Sequence, residues 1–320
     1  MLILGFVLLI KGADFFVEGS SAVARKLHIP AMVIGMTIVA MGTSLPECAV
    51  SVTASIAGSN ELAVSNVVGS NIFNLMVVVG VCSILTPILV QKETIKRDIP
   101  FSMICAFLLL GLGILAVGDK SGMTLGHLDG MILLGFFAGY IVAMIQSAMK
   151  ARAAGKNVEI EGIEELEEEI GILSWPKSIL FIVGGALAIA FGGDLTVDAA
   201  SRIAIDLGMS QTLVGLTIVS IGTSLPELVT SVVAARKNEV DMAVGNAVGS
   251  NIFNILMVLG IASAINPVAL IRENIIDIVI LIVFSLIVWI YAATKRKISR
   301  KEGISMVCLY LIYAGYIIWR

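Results

Sequence analysis

Gly42-Thr43-Ser44-Leu45-Pro46-Glu47 and Gly69-Ser70-Asn71-Ile72-Phe73-Asn74 each return 180 residues later, as Gly222-Thr223-Ser224-Leu225-Pro226-Glu227 and Gly249-Ser250-Asn251-Ile252-Phe253-Asn254. Around these blocks, residues 30–80 laid on 210–260 match at 25 of 51 positions without a gap. A weaker echo pairs Asp14 and Glu18 with Asp194 and Asp198. The chain is an internal duplication, so any role given to a residue in one copy must make sense in the other.

The setting of the motifs is a bilayer. The 320 residues are 58% hydrophobic and only 14% charged, with a mean hydropathy of +1.00, whereas soluble domains carry about a quarter charged residues. Soluble enzymes are excluded, and no basic excess points to nucleic acid. A spanning helix needs about 20 apolar residues. Apolar runs near 1–24, 31–57, 62–90, 99–118, 126–149, 177–205, 211–235, 241–270, 275–294 and 303–319 give an all-α membrane protein of ten transmembrane helices. With the amino terminus outside, 16 of the 21 bases fall in inner loops or at their edges, as the positive-inside rule requires. Both termini then face out of the cell membrane. Residues 2–10 read as part of the first span and not as a cleaved leader, because no basic segment precedes them. The net charge of −3 is local, since seven glutamates lie in the stretch 159–169; that run reads as a solvated linker helix.

The duplication divides the chain into a first five-helix repeat at 1–149, an acidic cytoplasmic linker at 150–176 and a second five-helix repeat at 177–320. Five is odd, so the second copy enters the membrane from the opposite side. Inverted repeats of this kind mark transporters that hold their ion near the midplane. Gly35, Gly80, Gly215 and Gly260 read as close helix contacts. A glutamate in the middle of an apolar helix, twice over, does not: an ionisable group there costs about 2.5 to 3.5 kcal/mol on insertion scales and signals function.

Proline inside a helix lacks an N–H and clashes with the carbonyl four residues back. Pro46 and Pro226 therefore free the carbonyls of Gly42 and Gly222 and break their helices. Loose backbone at membrane depth is tolerated only where it is buried in protein or lines a cavity, and there the carbonyls of 42–44 and 222–224 become available as cation ligands. Calcium takes six to eight oxygens. Two bidentate glutamates, Glu47 and Glu227, with a carbonyl from Thr43 and one from Thr223, supply six and balance its charge. No histidine or cysteine is duplicated in the motifs, which disfavours zinc and copper; magnesium, which keeps its waters, is disfavoured less strongly. Ser70 and Asn74 are one helical turn apart, as are Ser250 and Asn254, and offer neutral oxygens for sodium. Asn71 and Asn251 read as packing residues instead.

With both motifs present twice and in order, the chain resembles the cation/calcium exchanger superfamily over essentially its whole length, and in particular its prokaryotic sodium/calcium antiporters. The resemblance implies a secondary active antiporter exporting calcium in exchange for sodium by alternating access, with the first and sixth helices sliding across the remaining bundle. It implies Glu47 and Glu227 as central calcium ligands, backbone and hydroxyl oxygens from Thr43, Ser44, Thr223 and Ser224, and flanking sodium sites at Ser70, Asn74 and Ser250, bordered by carbonyls near Ala40 and Ser220. Several relatives carry aspartate where this chain has Asn254, which leans against potassium dependence and leaves two carboxylates in the pocket. Calcium/proton exchange is the alternative reading and an ion channel a more distant one. The partners implied are calcium, sodium and the lipid bilayer; no cofactor and no enzymatic activity are implied.

Three carboxylate pairs lie inside spans at the repeat offset, and only Glu47 with Glu227 adjoins a helix break. Asp14 and Glu18 share a helix face, as do Asp194, Asp198 and Arg202, a pattern that fits ion-paired or snorkelling side chains or a wet ion entrance. The four cysteines, Cys48, Cys82, Cys105 and Cys308, read as small packed hydrophobes, and His28 and His127 as interfacial.

Overall fold

A computed structural model of the protein describes residues 1–56, 61–115, 123–156, 173–209, 218 and 220–319. The acidic stretch 159–169 and most of the chain between 210 and 219 lie outside the described residues, as does Gly215. The rest is almost wholly helical. The first repeat gives α1 (Leu2–Leu27), α2 (Ala31–Thr43), α3 (Leu45–Ile56), α4 (Ala63–Leu85), α5 (Thr94–Ile114) and α6 (His127–Ala153). The second gives α7 (Trp175–Asp206), α8 (Ser220–Gly222), α9 (Leu225–Arg236), α10 (Val240–Ile265), α11 (Arg272–Lys295) and α12 (Arg300–Trp319).

Seven of the described helices are long and apolar enough to cross a bilayer alone, and the bent pair α2 and α3 makes an eighth. Helix α1 falls short of the same standard because Lys11, Asp14 and Glu18 interrupt its middle. Helix α9, with 12 residues, is too short to cross by itself. Observed ends differ from the sequence reading by a few residues, as at α4, whose expected span to residue 90 stops at Leu85 because Ile88–Leu89 pairs as a short antiparallel strand with Lys297–Ile298, and at α10, whose expected span to 270 stops at Ile265. Val268–Ala269 pairs likewise with Thr124–Leu125. These ladders satisfy backbone groups where the chain turns between spans.

Helices α4 and α10 form the centre, with 78% of each apolar window buried inside the protein. Around them, α12 packs on α4 and α6 on α10, through the glycines expected to do so. A Cβ on Gly80 would lie 3.2 Å from the Gly303 carbonyl, and one on Gly130 2.8 Å from the Gly260 carbonyl. Outside this block α1 lies along α7. Their contact is built from Gly5, Gly12 and Gly19 on one helix and Gly185 and Gly192 on the other: Gly192 would place a Cβ 2.9 Å from the Gly5 carbonyl, Gly185 one 2.7 Å from the Gly12 carbonyl, and Gly19 one 2.8 Å from the Ser178 carbonyl. Rising numbers on α1 meet falling numbers on α7, so the two repeat-equivalent helices run antiparallel. Only a face of small residues lets backbones approach this closely.

Candidate functional site

Local backbone chemistry sets the site. Helix α2 bends by 48° into α3 at Ser44, whose φ and ψ of −85° and 7° leave the helical region; Ser224 repeats this with −93° and 5°. Both angles sit in the bridge region, a sparsely allowed conformation common at functional sites. The cause is the proline two residues on, which cannot donate to the carbonyl of Gly42 or Gly222. Helix resumes with Cys48 N donating to Ser44 O at 3.1 Å and Leu228 N to Ser224 O at 3.2 Å. The Ala40 carbonyl, read as a border of the site, already accepts the Ser44 N–H at 3.0 Å.

Glu47 and Glu227, one residue beyond each proline, are fully buried. Each is held from the opposite half: Ser44 Oγ donates to Glu227 Oε1 at 3.0 Å and Ser224 Oγ to Glu47 Oε1 at 3.4 Å. The second oxygen of each carboxylate has no hydrogen-bond partner. Ser70 faces the Glu47 carboxyl and Ser250 that of Glu227, neither hydroxyl closing a hydrogen bond of standard geometry.

One turn further along α4 and α10 the helices widen into single π turns, Asn74–Val78 and Asn254–Val258, a distortion frequent at functional positions. There Asn74 and Asn254 donate to the side-chain oxygens of Asn251 and Asn71, both at 3.2 Å. Asn71 and Asn251 in turn donate to each other's backbone carbonyls at 3.1 Å. The packing role read for Asn71 and Asn251 is thus a specific one: they fasten α4 to α10 and fix the amides of Asn74 and Asn254, whose own oxygens are left without a donor.

Six buried oxygens therefore stand unsatisfied in three repeat-related pairs: Glu47 and Glu227 Oε2, Ser70 and Ser250 Oγ, Asn74 and Asn254 Oδ1. Buried polar groups in native proteins are almost always paired, and exceptions call for an unseen ion or water. Among the described residues no cluster of three His, Cys, Asp or Glu side chains exists, so this donor set is two carboxylates plus neutral oxygens.

A cavity of about 780 Å³ reaches the breaks from one side, lined by Pro46 and Val50 of α3, Asp194 and Asp198 of α7, and Thr223 and Pro226. The repeat-equivalent face is occupied by helix contacts. There α1 packs against α9, and Lys237, just past the end of α9, pairs with Asp14 at 2.8 Å and Glu18 at 3.6 Å, while Arg25 pairs with Glu239 at 2.9 Å. One face-sharing carboxylate pair is thus ion-paired and the other borders open space. Cys82 and Cys105 are buried as packed hydrophobes, whereas Cys48 is half-buried and Cys308 exposed. His28 ends α1 in a left-handed turn, φ 55°.

The sequence reading missed four residues that reach the motifs: Thr43 donates to Asn246 Oδ1 at 3.0 Å and Asn246 donates to Ser231 Oγ at 3.0 Å, while Thr223 donates to Asn66 Oδ1 at 3.4 Å and Asn66 to Ser51 Oγ at 3.2 Å. Their signal was present. Asn66 with Asn246 and Ser51 with Ser231 are identical polar residues at the repeat offset within apolar helices.

The model of the family described as sodium/calcium exchanger protein matches residues 1–146 and 177–319, nearly all of the chain. The chain belongs to this family. It is 33% identical to the sodium/calcium exchanger MaX1 of Methanosarcina acetivorans, over 98% of this chain and 96% of that protein. It is 38% identical to the putative antiporter CaxA of Alkalimonas amylolytica, covering 97% and 95% respectively. A solved structure of the sodium-calcium exchanger NCX_Mj superposes with a TM-score of 0.82 at 32% identity, over 98% of this chain and 96% of that one. The protein is accordingly a multi-pass membrane transporter of this fold.

Proposed function

We propose that this exchanger moves calcium out of the cytoplasm against sodium, by alternating access to a single pocket between Glu47 and Glu227. The observation that carries the reading is the set of six unsatisfied buried oxygens in three symmetric pairs. Calcium accepts such a mixed, flexible oxygen set, including carboxylates and carbonyls. In this reading Glu47 and Glu227 ligate calcium together with the backbone carbonyls of Thr43 and Thr223. Ser44 and Ser224 hold the carboxylates through their hydroxyls. Ser70, Asn74, Ser250 and Asn254 supply neutral oxygens to flanking sodium ions. Two sodium ions match the two carboxylate charges. A third held by neutral oxygens makes each cycle move one net charge, worth about 2.3 kcal/mol per 100 mV of membrane potential.

The architecture we infer is ten spans in two inverted five-helix repeats, 1–149 and 177–320, joined by an acidic cytoplasmic linker at 150–176, with both termini outside. The antiparallel glycine contact between α1 and α7 supports it, because equivalent helices of inverted copies must run in opposite directions. A cavity reaches the breaks beside α7, whereas on the equivalent face α1 packs against α9, and this difference between the two faces supports a transporter facing one way.

The test is calcium uptake by proteoliposomes loaded with sodium and diluted into sodium-free medium. Uptake that requires internal sodium is the expected result. Uptake that ignores sodium and follows a pH gradient replaces the reading with calcium/proton exchange, and single-channel currents beyond transporter turnover replace it with a channel.

A further inference from the structure

The polar stripe on each central helix is one residue longer than the ligand set. Asn66, Ser70 and Asn74 recur at successive intervals of four on α4, as do Asn246, Ser250 and Asn254 on α10, which places each trio along one helical face. Two members of each trio end in oxygens with no partner. The third does not. Asn246 is fully buried, its Oδ1 accepts the Thr43 hydroxyl at 3.0 Å, and its Nδ2 donates to Ser231 Oγ at 3.0 Å and to the Glu227 carbonyl at 3.4 Å. The mirror set runs from Thr223 to Asn66 at 3.4 Å and from Asn66 to Ser51 at 3.2 Å. An amide whose oxygen and nitrogen are both engaged in this way can fix geometry but has little left to offer a cation.

From this contrast we infer that Asn66 and Asn246 are positioning residues of the exchange site, each bracing the broken helix of the opposite half. The inference rests on the functional reading above. Asn246 ties three things together: the break in the first copy through Thr43, the backbone of Glu227, and the first turns of α9 through Ser231. Asn66 ties the break in the second copy, through Thr223, to Ser51 of α3. A threonine whose hydroxyl is held by the other half cannot rotate its break independently, so the two breaks keep their relation to each other and to the central helices. Preorganisation of this kind lowers the cost of ordering ligands when the ion arrives. The shorter brace is at Asn246, 3.0 Å against 3.4 Å for the Thr223 bond, and of the two threonines Thr223 is the one that lines the open cavity.

Two measurements test this. In ion-free purified protein, backbone amide exchange across residues 42–47 is expected to accelerate at least tenfold in Asn246→Ala and in Thr43→Val, while α5 and α12 keep their protection. Unchanged exchange in that segment overturns the inference whatever the protein transports. In exchange assays, each substitution is expected to raise the half-saturating calcium concentration about tenfold with the maximal rate held within twofold, and the double variant to do no worse than Asn246→Ala alone, because the Thr43 to Asn246 bond is already lost in either single. Additive losses, or a fall in maximal rate alone, overturn it. Loss of protection throughout the chain marks a variant that has unfolded; Asn246→Ser, which keeps a small acceptor for Thr43, then decides by whether it restores protection at 42–47. Failure of the wild-type protein to exchange the ions at all is a failure of the functional reading, and the amide-exchange result still stands.

Discussion

Neutralising one glutamate separates the two ions. Glu227 is fully buried, with one carboxylate oxygen held by Ser44 and the other unsatisfied, so Glu227→Gln removes a charge while keeping shape and an acceptor for Ser44. At an effective dielectric of about 20, two unit charges about 4 Å apart interact by about 4 kcal/mol, and a divalent ion doubles this to about 8. Relaxation and water entering around the substituted side chain screen about half of each figure. The net loss is then about 4 kcal/mol for calcium and about 2 for sodium, or about a thousandfold against about thirtyfold in affinity. Radiolabelled calcium binding and a sodium titration of the purified variant read both numbers, and sodium-driven calcium uptake should disappear. The ion-free variant should melt no lower than the wild type, since a buried unpaired charge has been removed. Calcium affinity within threefold of wild type would refute the reasoning, and so would equal losses for the two ions.

Lys237→Gln unties α1 from the end of α9. The lysine and Asp14 are a third or more exposed, so solvent screens the pair to about 1 kcal/mol at most; the expected result is a shift of up to about fivefold in apparent calcium affinity on one side of the membrane, and identical affinities on both sides would count against a latch. Gly192→Val puts a Cβ 2.7 Å from the backbone nitrogen of Leu9, against open space at Gly184. Overpacking there should cost about 1–3 kcal/mol and lower the melting temperature and the exchange rate, while Gly184→Val leaves both unchanged; equal behaviour of the two would show that the α1 and α7 contact is not close-packed.

Much of this was legible in the chain. A proline followed by a glutamate in an apolar helix dictates a break and a buried charge by covalent structure and solvation alone. Doubling at a fixed offset identifies which polar residues matter, and it marks Asn66 and Ser51 as clearly as Ser70, although the densest blocks draw the eye from them. Helix ends were less legible, because Ile88–Leu89 owes its extended form to pairing with Lys297–Ile298, far away in the chain.

Composition, the 180-residue offset and the two proline breaks thus determined that the protein lives in a bilayer, that its sequence is duplicated and that two glutamates lie buried beside helix breaks. Tertiary structure alone decided which half serves which. Ser44 holds Glu227 and not Glu47, Thr43 bonds to Asn246 and not Asn66, and Lys237 finds Asp14 from 223 residues away. Those pairings depend on two symmetric copies crossing at one axis. The ion pairs depend on asymmetry instead: Lys237 has Ala57 at its repeat-equivalent position and Arg25 has Ile205, so the face carrying Asp14 and Glu18 has cations that pair across it, while the cavity beside Asp194 and Asp198 lies on the other side.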